Sequence, residues 1–219
     1  MNRIFRDRED AGMQLAAHLS RYARDPKVVV LGLPRGGVPV AYQVARALKA
    51  PLEAFVVRKL GVPGQKELAM GAMASGGVRV LNSEVISMLR ISEQAIATVA
   101  AEEQQELEQQ QHAYRGDLPF PDLAGRTVII VDDGVATGST MRAAVQALRQ
   151  MQPARIVVAA PVAASETCQS LARDADEVVC VSMPEPFHAV SAWYQDFSQT
   201  TDEQVRTLLL NFAAIGFRS

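Results

Sequence analysis

Cysteine is nearly absent from this chain, with two in 219 residues, Cys168 and Cys180. Two thiols in that length make no disulfide framework and neither has a metal-ligand spacing, so both are read as reduced, small core residues. Histidine is as sparse: His18, His112 and His188 are scattered and suggest no metal centre. The net charge is only −2, which gives no electrostatic case for nucleic-acid binding, and neither a basic tail nor a helix-turn-helix pattern is present. No apolar run approaches the ~18–20 residues of a membrane span. Met1–Asp10 mixes three arginines with three acids and has no apolar stretch, which argues against a secretory signal. The expected compartment is the cytoplasm, with no membrane and no nucleic acid as partner.

What is present is an alternation of apolar runs and amphipathic stretches. Glu9 to Ala23 has a helical stripe that Pro26 stops. Lys27–Leu31 is a short apolar run of the kind buried on both faces of a parallel sheet. Val38–Lys49 reads as a helix and Leu52–Val57 as a second strand, giving a strand–helix–strand unit. Arg58–Ala69, with two glycines, a proline and four charged side chains, is expected to be a long exposed loop. Short strands around Gly76-Gly77 follow, then a short helix capped by Asn82 or Ser83. A Gln/Glu-rich helix from Ser92 to about Tyr114 has only a thin apolar stripe, so it is expected to lie solvated on the domain. Arg126–Val131 is the clearest strand, followed by a loop, a helix over Ser139–Met151, and strands at Arg155–Pro161 and Glu177–Val181 with a helix between them. Thr201 or Asp202 caps a last helix to about Ala214. The pattern predicts an α/β fold, a mainly parallel central sheet with helices on both faces. With no repeat or linker, residues 1–219 are read as one domain, with a helical insertion at about 92–115 and a hood-like segment at about 182–200.

The chemistry concentrates in Val128–Thr140. A buried strand ends in Asp132 and Asp133, a loop carries Gly134, Ala136, Thr137 and Gly138, and Ser139 and Thr140 open a helix. A helix start offers free N–H groups and the positive end of a dipole to a phosphate. Glycines let the main chain approach an anion closely, and hydroxyls add donors. The two carboxylates instead suit a vicinal diol, through charge-assisted hydrogen bonds. A phosphate cradle beside diol acceptors describes a site for a ribose 5-phosphate, at the carboxyl edge of a parallel sheet. No Lys follows Gly138 as in a nucleoside-triphosphate P-loop, and no GxGxxG follows the first strand. A plain turn and helix cap accounts for Gly138 and Ser139 but not for two successive acids.

At these residues the chain resembles the type I phosphoribosyltransferases, whose signature is an apolar strand, two acids, a loop with Thr-Gly and a Gly/Ser/Thr helix start. The likeness extends from Val28 to about Val181 and is nearest to a bacterial branch with Pro-Arg-Gly-Gly in the first turn. It implies the corresponding α/β fold and binding of 5-phosphoribosyl-1-pyrophosphate (PRPP) with Mg²⁺. The ion would be held mainly by PRPP, near Asp132 and Asp133. Leu33–Gly37 would be the pyrophosphate loop, in which Arg35 meets the leaving group and Gly36 and Gly37 permit the turn. Arg58 and Lys59 would add charge on the phosphates; either one alone is equally a solvated base. Gly61–Met70 takes the place of a flexible catalytic lid, in which Lys66 reaches pyrophosphate and Glu67 is the one acid. Phe187, His188 and Trp193 would form a hood over the acceptor, although a hydrophobic latch explains Trp193 and Phe197 equally well. Several purine-specific relatives carry an Asp where this chain has Ala136, which points to an acceptor that needs no base from the loop, or one helped by Glu67.

The resemblance thus implies transfer of a 5-phosphoribosyl group from Mg-PRPP to a nitrogen acceptor, a nucleobase or related heterocycle, with release of pyrophosphate. It leaves open a homodimer. A non-catalytic sensor of PRPP or a nucleotide is the alternative. A phosphatase built on the acid pair makes little use of the Thr-Gly-Ser-Thr segment.

Overall fold

The computed structural model describes residues 5–214 and, at Lys66, the backbone alone. Its centre is a five-stranded, wholly parallel sheet made of β1 (Val28–Gly32), β2 (Leu52–Ala54), β6 (Thr127–Val131), β7 (Arg155–Val162) and β8 (Glu177–Ser182), in the order β2-β1-β6-β7-β8. Pairing is in continuous register from Val28 opposite Thr127 to Gly32 opposite Val131. The sheet places β6 in the middle, so the acid pair that follows it stands at the centre of the carboxyl edge.

The apolar runs are continuous because both faces are covered. Val29, Leu31, Val128, Ile130 and Val158 pack under α5 (Ser139–Gln150) and Leu171 of α6 (Ser165–Leu171). Val28, Val30, Ile129, Val131 and Val157 pack against α1 (Arg8–His18) and α2 (Gly37–Leu48), with Phe212 of α7 (Asp202–Ala214) in the same cluster. Asp7 caps α1 by accepting from Asp10 N at 2.8 Å. Thr201 and Gln204 cap α7 reciprocally: Thr201 Oγ1 accepts from Gln204 N at 3.1 Å, and Gln204 Oε1 from Thr201 N at 2.8 Å.

A second, three-stranded antiparallel sheet corrects two expectations. The second strand stops at Ala54 rather than Val57, and the residues read as a loop form a hairpin, β3 (Val57–Val62) and β4 (Gln65–Ala74), extended by β5 (Val78–Leu81). Pro63 and Gly64 make the two-residue turn, with Gly64 at φ +79°. Charge content misled here because one face of the ribbon is solvated while Leu60, Val62 and Met70 on the other are buried against Ile96, Ala100 and Leu107. Those last three belong to α4 (Glu93–Arg115), which lies on the ribbon by its thin apolar stripe as its sequence implies; the short α3 (Ser83–Leu89), capped by Asn82, precedes it.

Between β8 and α7 the chain is irregular apart from a 3₁₀ turn at Val190–Trp193. It returns across the N-terminus, where Phe5 pairs with Tyr194 in a short parallel bridge. Cys168 is buried and Cys180 half-buried; both are free, with their Sγ atoms 3.0 Å apart. Among the described residues no helix is long and apolar enough to cross a membrane.

Candidate active site

The loop after β6 is built as a cradle. Gly138 stands at φ +72°, a left-handed conformation that a side chain disfavours, and a Cβ there would lie 2.6 Å from Thr167 Cγ2. It precedes α5 without a side-chain cap, so the amides of the first turn keep their donors for a ligand. Thr137 Oγ1 and Ser139 Oγ are 3.0 Å apart, and both side chains, with Thr140 and Ala136, are exposed. Together with Asp132 and Gly134 they line a cleft of about 140 Å³, with Val190 at its side.

The two acids, treated as equivalent in the sequence, differ in the structure. Asp132 is half-buried and its Oδ1 accepts from Asp133 N at 2.8 Å. Burial pushes its carboxyl well above the ordinary carboxylate range, and the neighbouring Asp133 charge adds to the effect. Asp133 turns to the N-terminal helix, where Arg8 Nε donates to its Oδ2 at 2.8 Å. Burial raises the Asp133 carboxyl too, against the opposing pull of Arg8. Arg8 is fixed on two further sides, by donating Nη1 to Ser198 O at 2.7 Å and by lying 4.0 Å from the centre of the Phe197 ring. Tyr194 OH donates to Asp133 O at 2.5 Å.

The Arg-Gly-Gly turn comes hard against this pair. A Cβ on Gly36 would sit 1.9 Å from Asp133 Oδ2, and one on Gly37 would sit 2.6 Å from Val131 O and 2.9 Å from Asp132 Cα. Only glycine lets the first turn of the sheet touch the acids of the central strand. The Pro34–Arg35 peptide is cis. Arg35 is partly exposed and its Nη1 lies 3.6 Å from Asp202 Oδ2 at the start of α7. Asp202 also accepts from Tyr114 OH, and burial with that carboxylate pushes the Tyr114 phenol up to about 12.

The structure therefore brings Asp132, Asp133, Gly36, Gly37 and Gly134–Thr140 together. The other nominated residues have different surroundings. Arg58 Nε donates to Glu103 Oε2 of α4 at 2.8 Å, so it serves the ribbon–helix contact. Lys59 Nζ donates to Glu67 O at 3.1 Å and lies 3.7 Å from the Glu67 carboxylate across the hairpin. The Lys66 side chain is outside the described atoms. Trp193 is a correction: it is buried with Phe5, Ala11, Val162 and Tyr194, as the latch its hydrophobicity equally allowed. Phe187 packs half-buried against the same cluster and His188 is exposed. Arg8, Tyr194, Val190 and Asp202 were missed. In the sequence Arg8 is one of three arginines mixed with three acids over Met1–Asp10, and nothing local links it to a residue 125 positions away.

As for a divalent ion, each acid of the pair has one oxygen engaged, Asp132 Oδ1 by Asp133 N and Asp133 Oδ2 by Arg8. Among the described residues no group of three or more His, Cys, Asp or Glu side chains could hold a metal. That donor set fits an ion carried by substrate phosphates, as Mg²⁺ commonly is, rather than one caged by protein.

A family model described as the phosphoribosyl transferase domain matches residues 3–196. A protein of Mycobacterium tuberculosis strain H37Rv, named provisionally as a phosphoribosyl transferase, is 45% identical over 207 residues, 94% of this chain and 46% of its own length. The chain thus spans about half the length of the curated relatives it matches. The crystal structure of TT1426 from Thermus thermophilus is 44% identical and superposes with a TM-score of 0.84 over 95% of this chain and 99% of that one.

Proposed function

Because the chain belongs to the phosphoribosyl transferase family, we propose that it transfers the 5-phosphoribosyl group from Mg-PRPP to a nitrogen acceptor, a nucleobase or related heterocycle, and releases pyrophosphate. The observation that carries this reading is the uncapped start of α5, with its exposed Thr137, Ser139 and Thr140, opening into one cleft with Asp132.

In this account the amides and hydroxyls of Ala136–Thr140 take the 5-phosphate. Asp132 accepts from a ribose hydroxyl through its uncommitted oxygen. Binding both ends of the pentose orients C1 for attack. The new C1–N bond forms as the C1–O bond to pyrophosphate breaks, and the electron pair leaves with pyrophosphate. Arg35 stabilises that developing charge. Bound with the substrate near Asp132, Mg²⁺ would supply neutralisation of phosphate charge. Ala136 has no acid to take the acceptor's proton, so the proton passes to water or to Glu67, which is exposed on β4.

A second reading, a sensor that binds PRPP or a nucleotide without turnover, is favoured by one observation. Charged groups nominated for substrate are already paired within the protein: Asp133 with Arg8, Arg35 with Asp202, Arg58 with Glu103 and Lys59 with Glu67. Incubation with Mg-PRPP and a panel of nucleobases, with pyrophosphate as the readout, separates the two. Base-dependent release supports transfer. Saturable binding without release across the panel supports the sensor. No binding of Mg-PRPP rejects both.

A further inference from the structure

The chain's only two cysteines, Cys168 on α6 and Cys180 on β8, face each other. Cys180 stands opposite Ala160 in the register of β7 and β8, on the sheet face that α6 covers. The two Sγ atoms are 3.0 Å apart. A disulfide holds its sulfurs at about 2.05 Å, so bond formation asks for an approach of only ~1 Å.

The contact is unequal. The hydrogen bond from Cys180 pushes the Cys168 thiol down, against burial, while the same contact and burial push the Cys180 thiol up. Thiolate character therefore gathers on Cys168, beside a second sulfur placed to resolve it, which is the arrangement of a redox-sensitive pair. Cys168 is buried, but Cys180 is half-buried on the edge strand of the parallel sheet. A peroxide is scarcely larger than water, and from that side it meets two sulfurs already in contact.

A bond here has a structural consequence. Thr167, the neighbour of Cys168, donates Oγ1 to Ala136 O at 2.6 Å, and its methyl group is what a Cβ on Gly138 would strike. The start of α6 is thus the wall behind the loop that follows β6. At 7 residues α6 is short and depends on its contacts to stay formed. A covalent tie to β8 would keep that wall in place.

We propose that Cys168 and Cys180 are a site of reversible oxidation, closed to an intrachain disulfide by a peroxide, and that the bond braces α6 behind the loop after β6. The Cys168 thiolate attacks one oxygen of hydrogen peroxide and the O–O bond breaks. This leaves a sulfenic acid and a hydroxide that takes up the proton the thiol released. The Cys180 sulfur then attacks the Cys168 sulfur, the S–O bond breaks, and the departing hydroxide takes the Cys180 proton. Two electrons pass from the thiols to the peroxide, and a thiol reductant reverses the change. Only the packing of the loop enters this argument, so it does not rest on phosphoribosyl transfer.

Peroxide treatment of the reduced full chain, followed by denaturation, alkylation with iodoacetamide and mass spectrometry of the cysteine peptides, tests the bond. The expected result is loss of two hydrogens, no alkylated cysteine, a single chain without reductant, and alkylation of both thiols after dithiothreitol. Amide hydrogen exchange over Ala136–Thr140 is expected to slow by about threefold or more in the oxidised chain, since a cross-link suppresses local opening. In Cys180→Ser peroxide is expected to leave that exchange unchanged. The proposal is overturned if both cysteines are alkylated after peroxide, if oxygen is added to either one in place of the bond, or if the bond joins two chains. It is equally overturned if exchange over Ala136–Thr140 is unchanged in the oxidised parent, or slows as much in Cys180→Ser. The parent's own results decide the proposal even if Cys180→Ser fails to fold.

Discussion

Arg8 Nε donates to Asp133 Oδ2 at 2.8 Å, joining the first helix of the chain to the loop after the central strand. The pair is mostly buried, with side-chain exposures of 12% and 15%, so neither partner is well served by water once the other is removed. Arg8→Met is expected to destabilise the fold by about 1.5–3 kcal/mol, the range for a hydrogen bond to a charged group. Urea denaturation measures it. The double variant with Asp133→Asn should recover part of the loss, because no unpaired carboxylate then remains buried.

Asp132 gives a pH dependence of defined sign. Burial and the Asp133 charge raise its folded-state pKa above the unfolded value. Between those two values the native state binds more protons than the unfolded state, so stability falls as pH rises through that window. The window begins near the ordinary aspartate value of about 3.9 and extends upward. Asp132→Asn is expected to raise the melting temperature at neutral pH relative to the parent and to flatten the slope above pH 4. A parent whose stability rises with pH across that window, with no change of slope in the variant, would contradict the assignment.

Gly138→Ala tests the cradle from the backbone side. The left-handed φ of +72° costs a residue with a Cβ about 1–2 kcal/mol, and Thr167 must also give way. Gly125→Ala is the control, since it has φ +70° but meets nothing within 4 Å. Both variants should lose stability in chemical denaturation. Only Gly138→Ala should also lose affinity for ribose 5-phosphate.

The ribbon formed by β3 and β4 makes a further test. Leu60 is fully buried against α4, so Leu60→Ala is expected to cost about 2–5 kcal/mol in urea denaturation, as core truncations do. A mobile lid would show almost no cost.

The parallel sheet and its helices were legible because buried strands are apolar at every position, as in Val128–Val131, and because helix starts carry caps such as Ser92 and Thr201. The cradle was legible because its glycines, hydroxyls and acids are contiguous. The ribbon was not: Arg58, Lys59 and Glu67 are polar for the same reason whether they stand on a loop or on the wet face of a hairpin. Arg8 was hidden because its partner is remote in sequence, and no local pattern encodes a contact of that range. Trp193 shows the converse, an aromatic whose burial against Phe5 depends on the chain returning to its own N-terminus.

The central claim is that Asp132 and the start of α5 hold opposite ends of one phosphorylated pentose. Calorimetric titration of Mg-PRPP into the parent, Asp132→Asn and Gly138→Ala measures it most directly. Saturable binding in the parent, with a loss of about tenfold to a hundredfold in Asp132→Asn, is the expected result for one charge-assisted bond removed. Undiminished affinity in both variants would contradict it.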